Sequence, residues 1–230
     1  MLTASPTSTY TEVVEALAEG LDAVQDTFAG LSQADLQRST RLDPLDSSLR
    51  RWNVLELAAH FNISIGLTLS LVEGAQPGQT GRDRVSFFIF DRSLVAPVVY
   101  EYAVAQAQGR QPEDVVRTMQ DTFARTLDAA RDNLPDLVGP GYYALMRLDE
   151  FVASRVVESV VHGLDLTDAL ERSPHVTPRA TAITADIFDD LLARRTVAGR
   201  PADLIGDDMA FIRAASGRGT HDDPRFPLLG

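Results

Sequence analysis

Residues 155–168 bring together side chains that could carry out acid–base or metal chemistry. The segment reads R-V-V-E-S-V-V-H-G-L-D-L-T-D, so that Arg155, Glu158, His162 and Asp165 recur at steps of three and four residues. On an α-helix such steps place side chains on one face, about one turn apart. A carboxylate and an imidazole four residues apart can bind one divalent ion together, as the two histidines of a metalloprotease helix do. The spacing therefore indicates half of a metal site.

A second interpretation of the same residues needs no metal. Glutamate and histidine four residues apart are also common on solvated helix faces. The flanking valines and leucines predict that this helix is buried, and a buried carboxylate rarely lacks a partner. Arg155 is a candidate partner for Glu158, which would leave His162 as a hydrogen-bonded core residue. The spacing alone leaves both interpretations open.

His60 is the candidate third member of the group. It lies in a predicted helix over residues 53–74, which starts with Asn53 as the N-cap and Glu56 three residues later, the pattern of a capping box. A single histidine beside an apolar stripe is more often a core residue than a ligand. In a helix bundle that also carries Glu158 and His162, the metal interpretation is favoured.

The elements that must position these residues are amphipathic helices. Apolar residues recur at helical spacing over residues 13–31, 53–74, 112–133 and 143–170. The run V-S-F-F-I-F is interpreted as the start of a further helix through Tyr100 and Val104, bent near Pro97. Because no second strand-like run accompanies it, the sequence predicts an all-α fold, with a helix bundle as its architecture.

The composition changes after Ser173, which predicts two parts: residues 1–172 as a metal-binding bundle and residues 173–230 as a C-terminal extension. In the extension we predict helices near residues 179–194 and 208–215, and an irregular tail that packs on the bundle. His221, Asp222 and Asp223 in that tail could also bind a metal, although a charged terminal loop is usually only solvated.

Charge and composition exclude several functions. The 230 residues carry a formal net charge of -12, and all of their positive charge comes from arginine. Such a chain suits neither nucleic acid nor an anionic membrane, since both select basic surfaces. It has no cysteine, so any thiol must come from a cofactor or a substrate. We find no leader peptide and no membrane span in the sequence, and expect a cytoplasmic protein.

Two segments of the chain resemble a known family. R-W-N-V-L-E-L-A-A-H at residues 51–60 and R-V-V-E-S-V-V-H-G-L-D-L at residues 155–166 are similar to the two signature segments of the mycothiol-dependent maleylpyruvate isomerase family. That family belongs to the DinB-like metal-binding four-helix bundles. The resemblance covers roughly residues 10–172. An acidic composition without lysine also fits an actinobacterial source.

The resemblance implies a metal site and a thiol reaction. It implies that His60, Glu158 and His162 bind one divalent ion, zinc above all, with iron or nickel as alternatives. Asp165 would orient the ring of His162, and Arg155 would support the site. A thiol such as mycothiol would lose its proton on the ion and add to an activated double bond; the adduct then rotates and releases the thiol in an isomerase, or is kept in a transferase.

The C-terminal segment differs from that of the isomerase for which the family is named. That isomerase has a further α/β domain, whereas the sequence of residues 173–230 predicts no strands that could form such a domain. The segment A-A-S-G-R-G resembles tails of the wider family, and its Arg218 is a candidate contact for an anionic substrate. We therefore expect an S-transferase or a cis-trans isomerase that acts on a small electrophile, as a monomer or homodimer. Two alternatives are a metal enzyme that uses no thiol and a non-catalytic binding module.

Overall fold

The computed structural model describes residues 8–42, 44 and 46–229. Most of these residues are helical, and the predicted all-α class is confirmed. The helices are α1 (Tyr10–Phe28), α2 (Gln33–Leu36), α3 (Val54–Glu73), α4 (Arg92–Ala107), α5 (Pro112–Asp132), α6 (Leu148–Ala169), α7 (Pro178–Arg195) and α8 (Asp208–Ser216), and two short strands are β1 (Val138–Pro140) and β2 (Leu145–Arg147).

Four of the helices form the central bundle. α1 packs against α5 and α6, and α3 packs against the same two helices. Their inward faces share one buried apolar core, which includes Leu17, Phe61, Phe123 and Phe151. A four-helix bundle is thus confirmed. α4, which follows α3 in the chain, packs against α3 from outside and is not one of the four.

α3 begins where the sequence predicts. Asn53 Oδ1 accepts a hydrogen bond from the Glu56 N–H at 2.8 Å, and the Glu56 carboxylate accepts one from the Asn53 N–H at 2.9 Å. This capping box satisfies two N–H groups that a helix start leaves without partners. The prediction that no stretch is apolar enough to span a membrane is wrong for α3, which is long and apolar enough, although 67% of that stretch is buried inside the bundle.

A short hairpin precedes α6, where the sequence predicts only a loop and a helix from about Tyr143. β1 and β2 pair antiparallel, with Gly139 opposite Met146. Gly139 lies against the end of α3: a Cβ atom at this position would come within 2.0 Å of the Leu71 carbonyl oxygen. Glycine is therefore required for the hairpin to close over α3. α6 consequently begins only at Leu148.

The segment V-S-F-F-I-F is not the start of a helix, which corrects the prediction. Ser86–Phe88 form a single 3₁₀ turn, and α4 begins at Arg92. The rings of Phe87 and Phe88 are buried and contact aromatic rings of α6 and α7. These side chains fix the connection between α3 and α4 to the bundle, so their apolar character reflects burial rather than helix formation.

The C-terminal segment lies against α6. α7 packs on α1 and α6, and α8 packs on α7 and α6. Arg213 of α8 donates two hydrogen bonds to the Asp168 carboxylate of α6, at 2.8 and 2.9 Å. In the tail, Leu228 is buried, and its N–H donates to the Ala215 carbonyl oxygen at 2.7 Å. The division of the chain at residue 172 stays a prediction.

Candidate metal centre

The three predicted metal ligands lie side by side between α3 and α6. His60 Nε2 is 3.0 Å from His162 Nε2 and 3.6 Å from Glu158 Oε2, and His162 Nε2 is 3.4 Å from the same oxygen. Within the described residues, they form the one group of three or more acidic or histidine side chains whose ligand atoms could hold a single ion.

These separations fit a bound divalent ion. An ion about 2.0–2.1 Å from three ligand atoms in tetrahedral geometry holds those atoms about 3.4 Å apart. The separations of 3.0 to 3.6 Å lie on both sides of that value. The His60 and His162 rings lie at 77° to each other, so they meet edge to face through their nitrogens rather than stacking. Two imidazoles and one carboxylate also leave a coordination position open, as catalytic zinc sites do.

Two neighbouring helices of the bundle bring the three side chains together. α6 carries Glu158 and His162 one turn apart, and α3 presents His60 to that turn. The surrounding valines of α6 are buried, which fixes the direction in which both side chains point. The three side chains have exposed fractions of 9 to 16%, so each of them is largely but not completely buried.

His162 is held by a chain of charged hydrogen bonds. Its Nδ1 lies 2.8 Å from Asp165 Oδ2. The Asp165 carboxylate accepts two hydrogen bonds from Arg218, at 3.0 and 2.8 Å, and Arg218 also donates to the Ser216 carbonyl oxygen at 2.6 Å. A carboxylate in this position fixes the ring and leaves Nε2 as the atom that would bind a metal ion. The predicted contact of Arg218 with an anionic substrate stays a prediction.

His60 is held by ring contacts instead. Its ring centre lies 5.0 Å from that of Trp52, and Trp52 stacks on Tyr100 of α4 at 6.1 Å. The Tyr100 hydroxyl donates to the Arg50 carbonyl oxygen at 2.9 Å. Within the described residues, the buried His60 Nδ1 makes no hydrogen bond. The orientation of His60 therefore depends on side-chain shape.

Arg155 does not form the ion pair of the alternative interpretation. Its buried guanidinium donates to the Ser64 carbonyl oxygen at 2.8 Å and to Ser154 Oγ at 3.1 and 3.2 Å. It also lies 4.6 Å from the ring centres of Phe87 and Phe151. No carboxylate of the described residues lies within 4.0 Å of it. Arg155 thus affects Glu158 only through its charge, which lowers the pKa of that carboxyl without direct contact.

Charge at the site favours an ionised Glu158 and a protonated His162. Burial raises the pKa of Glu158, but hydrogen bonds from both histidines and the charge of Arg155 bring it well below its usual range. Burial lowers the pKa of His162, but hydrogen bonds to Asp165 and Glu158 raise it to about 8. Burial, together with the charge of His162, lowers the pKa of His60.

Asp165 is ionised for the same kind of reason. Burial raises its pKa, but the charge of Arg218 and the hydrogen bonds from His162 and Arg218 bring it down to about 2. Because the pKa of His162 is raised to about 8, a metal ion that binds its Nε2 must displace a proton near neutral pH.

Three residues of this region were not predicted. Trp52 contacts Tyr100, and Arg213 contacts Asp168, across elements far apart in sequence, which spacing along one helix does not reveal. His221, a second candidate ligand in the sequence, has its Nε2 3.1 Å from Asp203 Oδ2, and its Nδ1 accepts a hydrogen bond from the Asp223 N–H. Within the described residues, this tail forms no group that could hold a metal.

Comparisons with known proteins show the family and the fold of this chain. Residues 17–167 match the sequence model of the mycothiol maleylpyruvate isomerase N-terminal domain. The chain is also similar to a crystal structure of a histidine-to-alanine variant of the mycothiol-dependent maleylpyruvate isomerase, with a TM-score of 0.65 and 14% identity over 92% of this chain and 90% of that chain. No curated protein sequence matches this chain.

The structural match extends beyond the four-helix bundle. A share of 92% of this chain is larger than residues 1–172, so the match includes much of the C-terminal segment. The match also covers 90% of the solved chain, and the expected difference at the C-terminus stays a prediction. At 14% identity this likeness shows the fold.

Proposed function

Because this chain belongs to the mycothiol maleylpyruvate isomerase N-terminal domain family, we propose that it is a divalent-metal-dependent enzyme that uses a low-molecular-weight thiol. Its reaction is an S-transfer to, or a cis-trans isomerisation of, a small electrophilic substrate. The proposal includes zinc as the ion, mycothiol as the thiol and a cytoplasmic location. The observation that carries it is the close approach of His60, Glu158 and His162 to one another.

The donor set and the lack of cysteine fit this chemistry together. A divalent ion held by these three side chains would lower the pKa of a coordinating thiol, so that it reacts as a thiolate near neutral pH. The chain itself has no cysteine that could compete for the ion or for the substrate. The reacting sulfur must therefore come from a separate molecule that binds at the three side chains.

The surrounding residues orient the ligands and set their charge. Asp165 keeps the His162 ring turned so that Nε2 faces Glu158 and His60. Burial raises the pKa of Glu158, but hydrogen bonds from His162 and His60 lower it, and the charge of Arg155 lowers it further without direct contact. Arg218 uses three of its five N–H groups on Asp165 and Ser216, and we propose that those left can bind an anionic group of the substrate.

Metal content tests the first half of the proposal. Elemental analysis of the purified protein should find about one divalent ion per chain, and Glu158→Gln and His162→Ala should lose it, because two remaining ligands hold an ion poorly. Glu150→Gln is the matched control: Glu150 lies two turns earlier on α6 and pairs with Arg84 at 2.7 Å instead. A parent protein that binds no zinc, iron or nickel would leave only the binding-module alternative.

Cobalt substitution tests the second half. Co²⁺ in place of the native ion should develop a sulfur-to-metal charge-transfer band when mycothiol is added, and in a chain without cysteine that band can come only from the added thiol. Two imidazoles and a carboxylate also suit iron and oxygen chemistry. Metal binding without any change on adding a thiol would therefore favour the enzyme that uses no thiol.

A further inference from the structure

Two buried ring nitrogens at the candidate metal centre have no hydrogen-bond partner within the described residues. They are Nε1 of Trp52 and Nδ1 of His60. The centres of the two rings lie 5.0 Å apart, so the unpartnered indole N–H belongs to a ring that contacts a candidate metal ligand. In the same part of the chain, Thr68 and Thr184 have unpartnered buried hydroxyls as well. A threonine hydroxyl turns about its bond towards a carbonyl oxygen of the preceding helical turn, whereas a ring N–H has one fixed direction.

The Trp52 ring is held in place by its neighbours. The backbone carbonyl of Trp52 accepts hydrogen bonds from the Thr40 N–H at 2.8 Å and from the Thr40 hydroxyl at 3.0 Å. Tyr100 stacks on the indole, with ring centres 6.1 Å apart and an angle of 13° between the ring planes. Trp52 is only 8% exposed, and its Nε1 is buried. The direction of the indole N–H is therefore set before any ligand binds.

An indole N–H without an acceptor destabilises the fold. A buried donor that has left water and gained no partner costs about as much as a broken hydrogen bond. Phenylalanine would make similar ring contacts without burying a donor. Donors of this kind are rare in native structures, and a binding or catalytic role is one reason for which they persist.

The charges at the centre favour a ligand that brings negative charge. Glu158 and Asp165 are ionised. Arg155 and Arg218 bring two positive charges, which offset those of the two carboxylates. The two charges of a bound divalent ion are then left for its incoming ligands to balance. A thiolate supplies one negative charge, and an oxygen atom with anionic character would supply more.

We propose that Trp52 is a ligand-binding residue of the metal centre, whose indole N–H donates a hydrogen bond to a carboxylate or carbonyl oxygen of the small molecule that enters the site. This inference rests on the proposed function, because it takes the metal centre as the place where that molecule binds. In the free protein the N–H has no partner to give up, so the new hydrogen bond contributes more to affinity than an exchange with water would. The site should therefore prefer an electrophile that carries an oxygen acceptor to one that lacks it.

Nuclear magnetic resonance can observe this N–H directly. ¹⁵N-labelled tryptophan gives one indole signal, because Trp52 is the only tryptophan of the chain. Two probes are added in turn to the zinc-loaded full chain: acetate, which offers oxygen, and ethanethiol, which offers only sulfur. Acetate should move the indole proton to lower field as the hydrogen bond forms, and ethanethiol should move it much less.

Trp52→Phe removes the donor and keeps an aromatic ring. In the Co²⁺-loaded protein, whose visible spectrum reports what binds to the ion, the acetate affinity of this variant should be about 5- to 100-fold below that of the parent. Its ethanethiol affinity should change no more than a few-fold. Tyr100→Phe is the matched control: it removes a hydroxyl from the neighbouring ring, keeps the stacking on Trp52, and should keep both affinities.

The outcomes separate this inference from the proposed function. An indole signal that acetate leaves in place overturns the inference and leaves the metal enzyme standing, as do equal losses of acetate and ethanethiol affinity in Trp52→Phe. An indole proton that already lies at low field in the free protein would show that a buried water accepts its hydrogen bond, which also overturns the inference. A protein that binds no zinc overturns both proposals. If the variant does not fold, the signal of the parent alone decides.

Discussion

The two histidines of the candidate metal centre are held by opposite means. His162 is hydrogen-bonded to Asp165, which is ion-paired with Arg218 from beyond the last helix. His60 rests against the ring of Trp52, which Tyr100 backs in turn, and its Nδ1 has no acceptor within the described residues. The orientation of His162 depends on charged hydrogen bonds, and that of His60 depends on side-chain shape.

The His162 side and the His60 side of the site should therefore respond to different kinds of substitution. A carboxylate behind an imidazole raises its basicity and fixes its tautomer, so the His162 side should respond to changes in charge and pH. Aromatic contacts supply shape and burial but no proton acceptor, so the His60 side should respond to changes in side-chain volume. The variants below test whether the two sides can be separated in this way.

Asp165→Asn should have the largest effect. It removes the charge behind His162 and leaves Arg218 without its carboxylate in a site where Asp165 is only 2% exposed. We expect metal affinity to fall by about 10- to 100-fold and the free energy of unfolding to fall by about 3–5 kcal/mol. Competition with a chromophoric chelator measures the affinity, and urea unfolding of the metal-free protein measures the stability.

Asp168→Asn is the control for this variant. Asp168 lies one turn further along α6 and is ion-paired with Arg213, another arginine of the C-terminal segment, but it does not touch His162. This variant should lose stability and keep its metal affinity. Equal losses of metal affinity in both variants would mean that the affinity depends on anchoring of the C-terminal segment to α6 and not on the orientation of the His162 ring.

The pH dependence of metal binding should follow His162. Its pKa of about 8 means that an ion must displace a proton from it at neutral pH. Metal affinity should therefore rise by up to about tenfold per pH unit until pH 8 and then level off. In Asp165→Asn the pKa of His162 falls, so the plateau should begin at lower pH. Affinity measured from pH 6 to 9 with a metal-buffered chelator tests this.

The metal-free protein should show the opposite trend. A folded-state pKa of His162 above the value of about 6.5 in the unfolded chain stabilises the fold below pH 6.5, and this contribution is lost as pH rises through 8. Thermal unfolding of the metal-free parent should therefore move to lower temperature between pH 6.5 and 8. A melting temperature that rises over this range contradicts the assignment of that proton to His162.

The two histidine environments also differ in how far the sequence predicts them. Glu158, His162 and Asp165 lie on one helix, so their spacing alone predicts that they share a face. The link from Asp165 to Arg218 spans 53 residues, and only the fold brings the two together. Trp52 and Tyr100 likewise meet across two elements, and no periodicity within either of them predicts the contact.

The fold shows the same division between local and distant causes. The start of α3 was predictable because Asn53 and Glu56 are three residues apart and satisfy each other. The hairpin before α6 was not predictable, because its strands have only three residues each. Its Gly139 is needed because a Cβ atom there would collide with the carbonyl oxygen of Leu71, which is distant in sequence. In the interpretation without a metal, Arg155 would pair with Glu158 one turn away, but its guanidinium donates to the Ser64 carbonyl oxygen of the neighbouring helix instead.

Trp52→Phe should have a smaller effect than any change on the His162 side. Phenylalanine keeps a ring beside His60 but leaves part of the volume empty, so we expect a loss of about 1–2 kcal/mol in unfolding free energy and only a few-fold loss of metal affinity. A loss of affinity as large as in Asp165→Asn would contradict the separation of the two sides. Trp52 is the only tryptophan, so in the parent Co²⁺ binding beside it should quench its fluorescence, and in His162→Ala it should not.

Tyr100→Phe should have the smallest effect. It removes the hydroxyl that donates to the Arg50 carbonyl oxygen at 2.9 Å and keeps the ring that stacks on Trp52. Loss of one such hydrogen bond costs about 0.5–1.5 kcal/mol, and metal affinity should not change, since ring contact alone holds His60 in place. A drop in affinity together with this small loss of stability would show that hydrogen bonding, and not shape, positions the His60 side, which would remove the difference between the two histidines.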